Sequence, residues 1–175
     1  SCPTAWLAPI ACFPAGEAWL SRNPGDEESV PLRTYPDVPA AWQDTALAEK
    51  WATIRRIRRV VTGALELERA EKRIGSSLQA APTVYISGDY ADALNGVDLA
   101  EISITSEIVV ASGDAPDGAF ILDDVSGVAV VPGLADGGKC ERCWQVLVEV
   151  GSDGENSDIC HRCADAVAAL PAAAE

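Results

Sequence analysis

The stretch GKCERCWQVLVEVGSDGENSDICHRCADAV, residues 138–167, contains four cysteines in two matched pairs. Each pair has the form C-x2-C, and sixteen residues separate the two pairs. This spacing is typical of a four-cysteine zinc site, because each tight turn directs two thiolates toward one tetrahedral ion. The sequence therefore predicts one structural Zn²⁺ held by Cys140, Cys143, Cys160 and Cys163. Iron in the same site and a pair of disulfides are the alternatives.

The residues around the cysteine pairs predict the local structure of this module. Residues 144–150 have the branched character of a strand, residues 151–158 resemble a hairpin turn, and residues 161–170 predict a short helix. Such a segment has little apolar core, so zinc binding, worth ~10–16 kcal/mol, would supply most of its folding free energy. Four thiolates complete the ligand set, so His161 is expected either to face solvent or to donate a hydrogen bond to one of the metal ligands.

Two arginines and one tryptophan beside the cysteines have an open role. Arg142 and Arg162 occupy the same place in their respective turns. They either offset the negative charge of a four-thiolate zinc site or extend outward toward phosphate or a base edge. Trp144 either covers the metal turn or offers a stacking surface to an unpaired base. Spacing alone does not decide between these roles.

Residues 41 to about 75 have the clearest helical periodicity in the chain. Apolar residues recur at steps of three and four, which predicts one buried face made of Leu47, Trp51, Ile54, Ile57, Val61 and Leu65. Gly75 is the expected stop. A different face of this helix carries basic side chains, namely Arg55, Arg59, Arg69 and Arg73.

The rest of the chain predicts a mixed architecture. Residues 1 to about 40 indicate helical pieces joined by turns, in which Cys2 and Cys12 would be buried thiols. Short branched runs in residues 82–133 predict strands at TVYIS, EISIT, EIVVAS, AFIL and VAVVPG, with a short helix near residues 90–94. The predicted fold class is α+β. It comprises a partial helical region at 1–80, a small α+β junction at 81–135 and the zinc module at 136–175.

The charge distribution restricts the partners that the chain can bind. The formal charge of the chain is −14, which by itself disfavours a nucleic-acid partner. Residues 50–73, however, contain eight basic residues against three glutamates, a local charge of +5. A basic stripe on an acidic body can still meet phosphate. Apolar runs are too short for a membrane helix, and nothing in the sequence predicts secretion, so a reducing compartment is expected.

Blocks of the sequence resemble the C-terminal part of bacterial isoleucyl-tRNA synthetases. GKCERCW…ICHRC is similar to the zinc module of that family. LAPIACFPAGEAWL, SVPLRTYP, RRVVTGALELERAEKRIGSSLQA and LAEISITSEI resemble, in the same order, the late helices of the anticodon-binding bundle, the segment after it, the helix to the C-terminal junction and the strand that follows. The resemblance covers the whole chain and implies that it is a piece of a larger ligase.

The resemblance implies a role in tRNA binding. The family's ATP-binding signatures and its editing domain have no counterpart in these residues, so the chain is expected to contain no catalytic or editing site. In the family, Arg and Trp around the second cysteine contact the anticodon loop, which implies this role for Arg142 and Trp144, with Arg162 in the matching turn. The basic helix would position the tRNA backbone through Arg55, Arg59, Arg69, Lys72 and Arg73.

The leading interpretation is therefore the tRNA-binding portion of a cytoplasmic, monomeric isoleucine–tRNA ligase. Its expected partners are the anticodon stem-loop of isoleucine tRNA and the remaining domains of the synthetase. One alternative is a zinc-stapled protein-interaction module, which the acidic body favours, and another is a diverged free-standing relative. A generic zinc-ribbon nucleic-acid binder is disfavoured, because residues 144–159 contain no lysine or arginine and several acidic residues.

Overall fold

The computed structural model describes residues 2–25, 29–152, 154 and 156–169 of the 175-residue chain. The chain divides into two compact units, Ser1–Thr45 and Ala46–Glu175. The first unit contains helix α1 (Cys2–Leu7), helix α2 (Cys12–Arg22) and a 3₁₀ turn at Val30–Leu32. The prediction of short helical pieces joined by turns is confirmed here.

The first unit has a very small apolar core. Only Ala8, Ala15 and Val30 form its buried cluster, with Trp19 packed against them, among the residues that the structure describes. Cys12 is exposed, so the expectation of a buried thiol at this position was wrong. The side chain of Cys2 lies outside the described part of the chain.

Helix α3 (Thr45–Ala70) is the longest element and the main support of the second unit. Six of its apolar side chains are buried, namely Ile54, Ile57, Val60, Val61, Ala64 and Leu65. The predicted apolar face is thus confirmed from Ile54 onward, whereas Leu47 and Trp51 are exposed. The helix ends five residues before Gly75, because Lys72 adopts a left-handed φ of 59° and breaks the helical backbone.

A four-stranded sheet packs against helix α3. Its strands are β1 (Thr83–Ile86), β2 (Val109–Ser112), β3 (Phe120–Leu122) and β4 (Val125–Val131), in the order β2-β1-β4-β3. Strand β1 pairs parallel with β2 and antiparallel with β4, and β3 pairs antiparallel with β4. One apolar core joins helix and sheet, with Ile57, Val61, Val84 and Val130 at its centre. Four of the five predicted strands are confirmed.

The fifth predicted strand, EISIT, was wrong. Residues Leu99–Ser103 form helix α5, preceded by helix α4 (Gly88–Ala91) and a 3₁₀ turn at Asp92–Leu94. The reason is local: the Asp98 carboxylate accepts hydrogen bonds from the backbone N–H groups of Ala100 and Glu101, at 2.9 and 3.1 Å. This N-cap satisfies the first helical donors and outweighs the alternating isoleucines.

The cysteine module follows the sheet. Strands β5 (Gly138–Lys139) and β6 (Val146–Leu147) pair antiparallel, and helix α6 (His161–Ala168) ends the module. The predicted helix is confirmed, but only two residues of the predicted strand at 144–150 are extended and paired.

The α+β class is confirmed. The predicted division at residues 80 and 135 stays a prediction, and helix α3 shares its core with the sheet across the first of these boundaries. None of the described helices is both long and apolar enough to cross a lipid bilayer.

Candidate metal centre

The two cysteine pairs converge on one point. The sulfur atoms of Cys140, Cys143, Cys160 and Cys163 all lie within 4.8 Å of one another. Three of these residues are buried and Cys143 is partly buried. Ile159, Ala164, Leu147 and Val150 provide the remaining apolar contacts of this small core.

The sulfur spacing fits a tetrahedral zinc ion. With Zn–S bonds near 2.3 Å, neighbouring sulfurs of a tetrahedron stand ~3.8 Å apart. The distance from Cys143 Sγ to Cys160 Sγ is 3.8 Å. All four cysteines are free thiols, so the disulfide alternative is wrong. The chemistry of the donor set, four soft thiolates in a closed site, suits a structural Zn²⁺.

Backbone donors help to hold the sulfurs. The N–H groups of Cys143 and Cys160 point at Cys140 Sγ over 3.5 and 3.3 Å. Burial opposes ionisation of Cys140, but these hydrogen bonds prevail and lower its pKa. At Cys160, burial raises the pKa of the thiol. Because zinc binds thiolates, uptake of the ion must displace the Cys160 proton.

The two turn arginines reach across the site to sulfur. Arg142 Nη1 lies 3.5 Å from Cys163 Sγ, so the first turn's arginine contacts the second turn's cysteine. A hydrogen bond to Cys143 raises the pKa of Arg162, although burial acts in the opposite sense. Arg162 also donates to Gln145 Oε1 over 3.4 Å. This crossed arrangement fits the role of offsetting thiolate charge.

His161 lies outside the sulfur cluster. Its backbone N–H donates to Glu149 Oε1 over 3.1 Å, and its Nε2 atom is 3.0 Å from Ser152 Oγ. It is exposed to solvent, in agreement with the expectation that four thiolates complete the ligand set.

Trp144 faces outward from the first cysteine turn. Its side chain is 61% exposed, and its backbone has a left-handed φ of 67° while its N–H donates to Cys140 O over 2.8 Å. Lys139 Nζ stands 5.9 Å from the centre of the indole ring. A cavity of about 380 Å³ lies beside the ring, lined also by Gly75, Ser76, Gln79 and Val146. The ring therefore does not cover a core.

The basic residues of helix α3, together with Lys72 and Arg73 just beyond its end, are not gathered into one patch. Arg59 pairs with Asp124, and Arg69 pairs with Glu66 and donates to Ser77 Oγ over 2.9 Å. Arg73 forms a two-point ion pair with Glu68, with both N···O distances at 2.6 Å, and also pairs with Glu71. Arg55 and Lys72 are exposed. Arg55 and Arg69 are fourteen residues apart, or ~21 Å along the helix.

Two residues that support the cysteine module, Ser106 and Gln145, were not predicted from the sequence. Ser106 Oγ accepts the Val146 N–H over 2.7 Å and donates to Leu78 O over 2.6 Å, which joins the cysteine module to the sheet unit. Gln145 Oε1 receives the Arg162 guanidinium and lies 3.6 Å from Cys143 Sγ. Both depend on contacts between segments far apart in sequence, which no local pattern reveals.

The chain is similar to known proteins both within its cysteine module and over nearly its whole length. Residues 137–166 match the family described as the zinc finger found in FPG and IleRS. Over 170 residues, 97% of its length, the chain is 53% identical to the isoleucine–tRNA ligase of Brucella abortus biovar 1 (strain 9-941) and covers 17% of that protein. It is 51% identical over 172 residues, 98% of its length, to that of Agrobacterium fabrum (strain C58), of which it covers 18%.

A further relative is similar over the same extent. The isoleucine–tRNA ligase of Bartonella henselae is 51% identical over 166 residues, which cover 94% of the chain and 17% of that protein. The chain thus spans about a sixth of the length of the curated relatives it matches.

Proposed function

We propose that this chain, which matches the C-terminal region of bacterial isoleucine–tRNA ligases, binds the anticodon region of isoleucine tRNA. In this role the chain performs no chemistry. It holds the lower end of the tRNA so that the distant acceptor end reaches a catalytic domain outside these residues. The parent protein would be an ATP-dependent ligase of the cytoplasm that acts in protein synthesis.

The exposed ring of Trp144 carries this proposal. The Trp144 side chain is 61% exposed beside the four-cysteine site, so it buries much less apolar surface than a core residue does. Packing into a core therefore does not explain its position. An unpaired base can stack on such a ring, and one such contact is worth ~1–3 kcal/mol. Lys139 Nζ stands over the ring, 5.9 Å from its centre, so a cation is available to a phosphate of the bound loop.

Arg142 and Arg162 have a double role in the proposal. Both guanidinium groups contact the sulfur site, yet both residues are exposed, so part of each group remains open to RNA. An arginine has five donors, and one contact to sulfur leaves others for phosphate. These two residues would fix the loop beside Trp144.

The basic residues of helix α3, and Lys72 and Arg73 that follow it, contribute unequally to the proposed contact. Arg59, Arg69 and Arg73 already pair with carboxylates, so a phosphate must compete for them. Arg55 and Lys72 have no ion pair within the described part of the chain, and they would carry more of the backbone contact. Such contacts position the RNA and weaken as salt is raised.

A pair of matched tryptophan variants tests the proposal. Trp144 and Trp42 are each 61% exposed, but only Trp144 belongs to the cysteine module. With the zinc-loaded chain, Trp144→Ala should weaken binding of isoleucine tRNA about tenfold, whereas Trp42→Ala should leave it nearly unchanged. In the full ligase, Trp144→Ala should raise KM for tRNA and spare ATP-dependent isoleucine activation. Equal effects of the two variants, or equal loss of both activities, would contradict the proposal.

A second candidate function is protein docking, and the first unit favours it. Ile10, Phe13 and Leu32 are 84%, 87% and 82% exposed, which is a large apolar exposure for so small a unit. In the leading proposal this surface packs against the remaining domains of the synthetase. The whole synthetase would act as a monomer. In the alternative, the whole chain is a zinc-stapled interaction module. Titration with cognate and non-cognate tRNA at two salt concentrations separates the two, since a docking module would bind neither.

A further inference from the structure

A polar cavity of about 320 Å³ lies on the sheet side of helix α3, away from the cysteine module. Helix α3 contributes Thr53 and Arg56, the β1–α4 segment contributes Ser87 and Tyr90, and strand β4 contributes Ser126 and Gly127. None of these six lining residues is acidic. One guanidinium and several hydroxyl groups therefore meet around one opening.

The Arg56 guanidinium differs from its neighbours on the helix. Arg59 pairs with Asp124, and Arg58 Nε donates to Ile102 O over 2.8 Å. Arg56 is exposed and makes no ion pair or side-chain hydrogen bond with any residue that the structure describes. Its donors are thus available to a ligand in the cavity, whereas Arg59 is already paired with Asp124.

The hydroxyl groups of the cavity are also available. Ser87 stands at the N-cap position of helix α4, but its side chain makes no capping hydrogen bond. The hydroxyls of Tyr90 and Ser126 have no hydrogen-bond partner within the described residues. Thr53 differs, since its Oγ1 donates to Glu49 O over 3.2 Å and can only accept in the cavity.

Gly127 keeps the Ser87 hydroxyl in the cavity. The Ser87 N–H donates to Gly127 O over 2.9 Å, which brings the two backbones together. A Cβ atom at position 127 would lie 2.5 Å from Ser87 Oγ, and the φ of +80° disfavours any side chain there. Glycine therefore leaves room for the hydroxyl and for a ligand beside it.

We propose that this cavity binds a phosphodiester group of RNA through Arg56, with hydrogen bonds from the Ser87, Tyr90 and Ser126 hydroxyls. A planar guanidinium forms paired hydrogen bonds with phosphate oxygens, and neutral hydroxyl donors add to an anion site without adding charge. The rest of the acidic chain repels a polyanion, so one such cavity restricts where RNA lies on the surface. The choice of RNA as the source of the phosphate rests on the proposed tRNA binding.

Inorganic phosphate tests the cavity independently of tRNA. In a heteronuclear NMR titration of the zinc-loaded chain, phosphate should shift the backbone amides of Ser87 and Gly127 and the Arg56 Nε–H signal. Arg56→Gln should weaken this binding about tenfold or more. Arg22→Gln removes the same charge from an exposed position of helix α2, which does not line the cavity, and should leave this binding nearly unchanged. No shift in the unaltered chain, or equal losses in both variants, would overturn the anion site.

The salt dependence of tRNA binding tests the RNA assignment. Arg56→Gln should reduce the slope of log K against log salt by ~0.7–0.9, the value of one phosphate contact, and by the same amount for cognate and non-cognate tRNA. An unchanged slope alongside intact phosphate binding would overturn the RNA assignment and leave the anion site. If the unaltered chain binds phosphate but no tRNA, the proposed function fails and the RNA assignment fails with it, whereas the cavity stands. Unchanged melting temperatures of the variants show that the fold is kept.

Discussion

The Ser106 hydroxyl accepts a hydrogen bond from the Val146 N–H over 2.7 Å and so connects the sheet unit to strand β6 of the cysteine module. The same hydroxyl donates to Leu78 O over 2.6 Å, and the Ser106 N–H donates to Ala80 O over 3.1 Å. Ser106 is 8% exposed, so its bonds are shielded from water. This side chain therefore links the sheet unit by a buried hydrogen bond to the module that carries Trp144.

Ser106→Ala should lower the free energy of unfolding by ~1–3 kcal/mol, because it leaves the Val146 N–H without its acceptor. Ser103→Ala is the matched control. Ser103 is also buried, but its hydroxyl has no hydrogen-bond partner within the described residues, so its removal should be neutral or slightly stabilising. Chemical denaturation measures both. Equal destabilisation by the two variants would contradict the role of Ser106.

Removal of zinc should unfold the cysteine module and spare the sheet. The apolar core of the module is small, so the ion supplies most of its stability. Under a strong chelator, amides of residues 138–168 should lose protection from hydrogen exchange, whereas those of strands β1 and β4 should keep it. Loss of protection throughout the chain would show that the module is not a separate folding unit.

Single cysteine variants extend this test. Cys140→Ser should lower zinc affinity by orders of magnitude, measured by competition with a colorimetric chelator, because Cys140 is a ligand and the acceptor of two backbone N–H groups. Cys12→Ser is the control, since Cys12 is an exposed thiol outside the sulfur cluster. Native mass spectrometry should find one zinc in the unaltered chain and in the control.

Gly137→Ala should also disrupt the module. Gly137 has a φ of +114°, and a Cβ atom there would lie 2.2 Å from the Leu147 carbonyl group. Because backbone must move to relieve this overlap, the cost should exceed ~1 kcal/mol and appear as weaker zinc binding. Gly154→Ala, in the same module, meets no atom within 4 Å and should bind zinc normally. Similar affinity of both variants would refute the requirement for glycine.

The ion pair of Glu68 and Arg73 should make stability depend on pH in the acid range. The hydrogen bond from Arg73 lowers the pKa of Glu68, against the opposing effect of burial. A lowered pKa in the folded state adds stability above the unfolded pKa of ~4.3 and loses it as the pH falls through the folded value. Glu68→Gln should therefore cost up to ~1 kcal/mol near pH 7, and the difference should vanish in acid.

A neighbouring pair provides the control for this pH effect. Glu66 and Arg69 form an ion pair close by in the sequence, but the Glu66 side chain is 66% exposed. Glu66→Gln should change the free energy of unfolding by less than ~0.5 kcal/mol at neutral pH, because solvent screens the pair. Thermal denaturation from pH 3 to pH 7 measures both variants. A constant difference between Glu68→Gln and the unaltered chain over this range would contradict the assignment.

Local sequence patterns predicted the elements whose structure depends on residues close together in the chain. The periodicity of apolar residues predicted α3, and the runs of branched residues predicted β1 to β4, since each pattern depends on neighbours within a few residues. The EISIT segment failed for an equally local reason: the Asp98 cap outweighed a period-two alternation. Leu47 and Trp51 continue the helical pattern but are exposed. A sequence pattern predicts which residues share a helix face, but it does not predict whether another element packs against that face.

The sequence by itself determined the metal site, because two C-x2-C turns need only short-range geometry to offer four thiolates to one ion. Only the tertiary structure decided what surrounds that site. It turned Trp144 outward, brought Arg142 to Cys163 and joined the module to the sheet unit through the hydrogen bond to Ser106. These contacts join residues twenty or more positions apart, or depend on which surfaces are covered, so they exist only after the chain has folded.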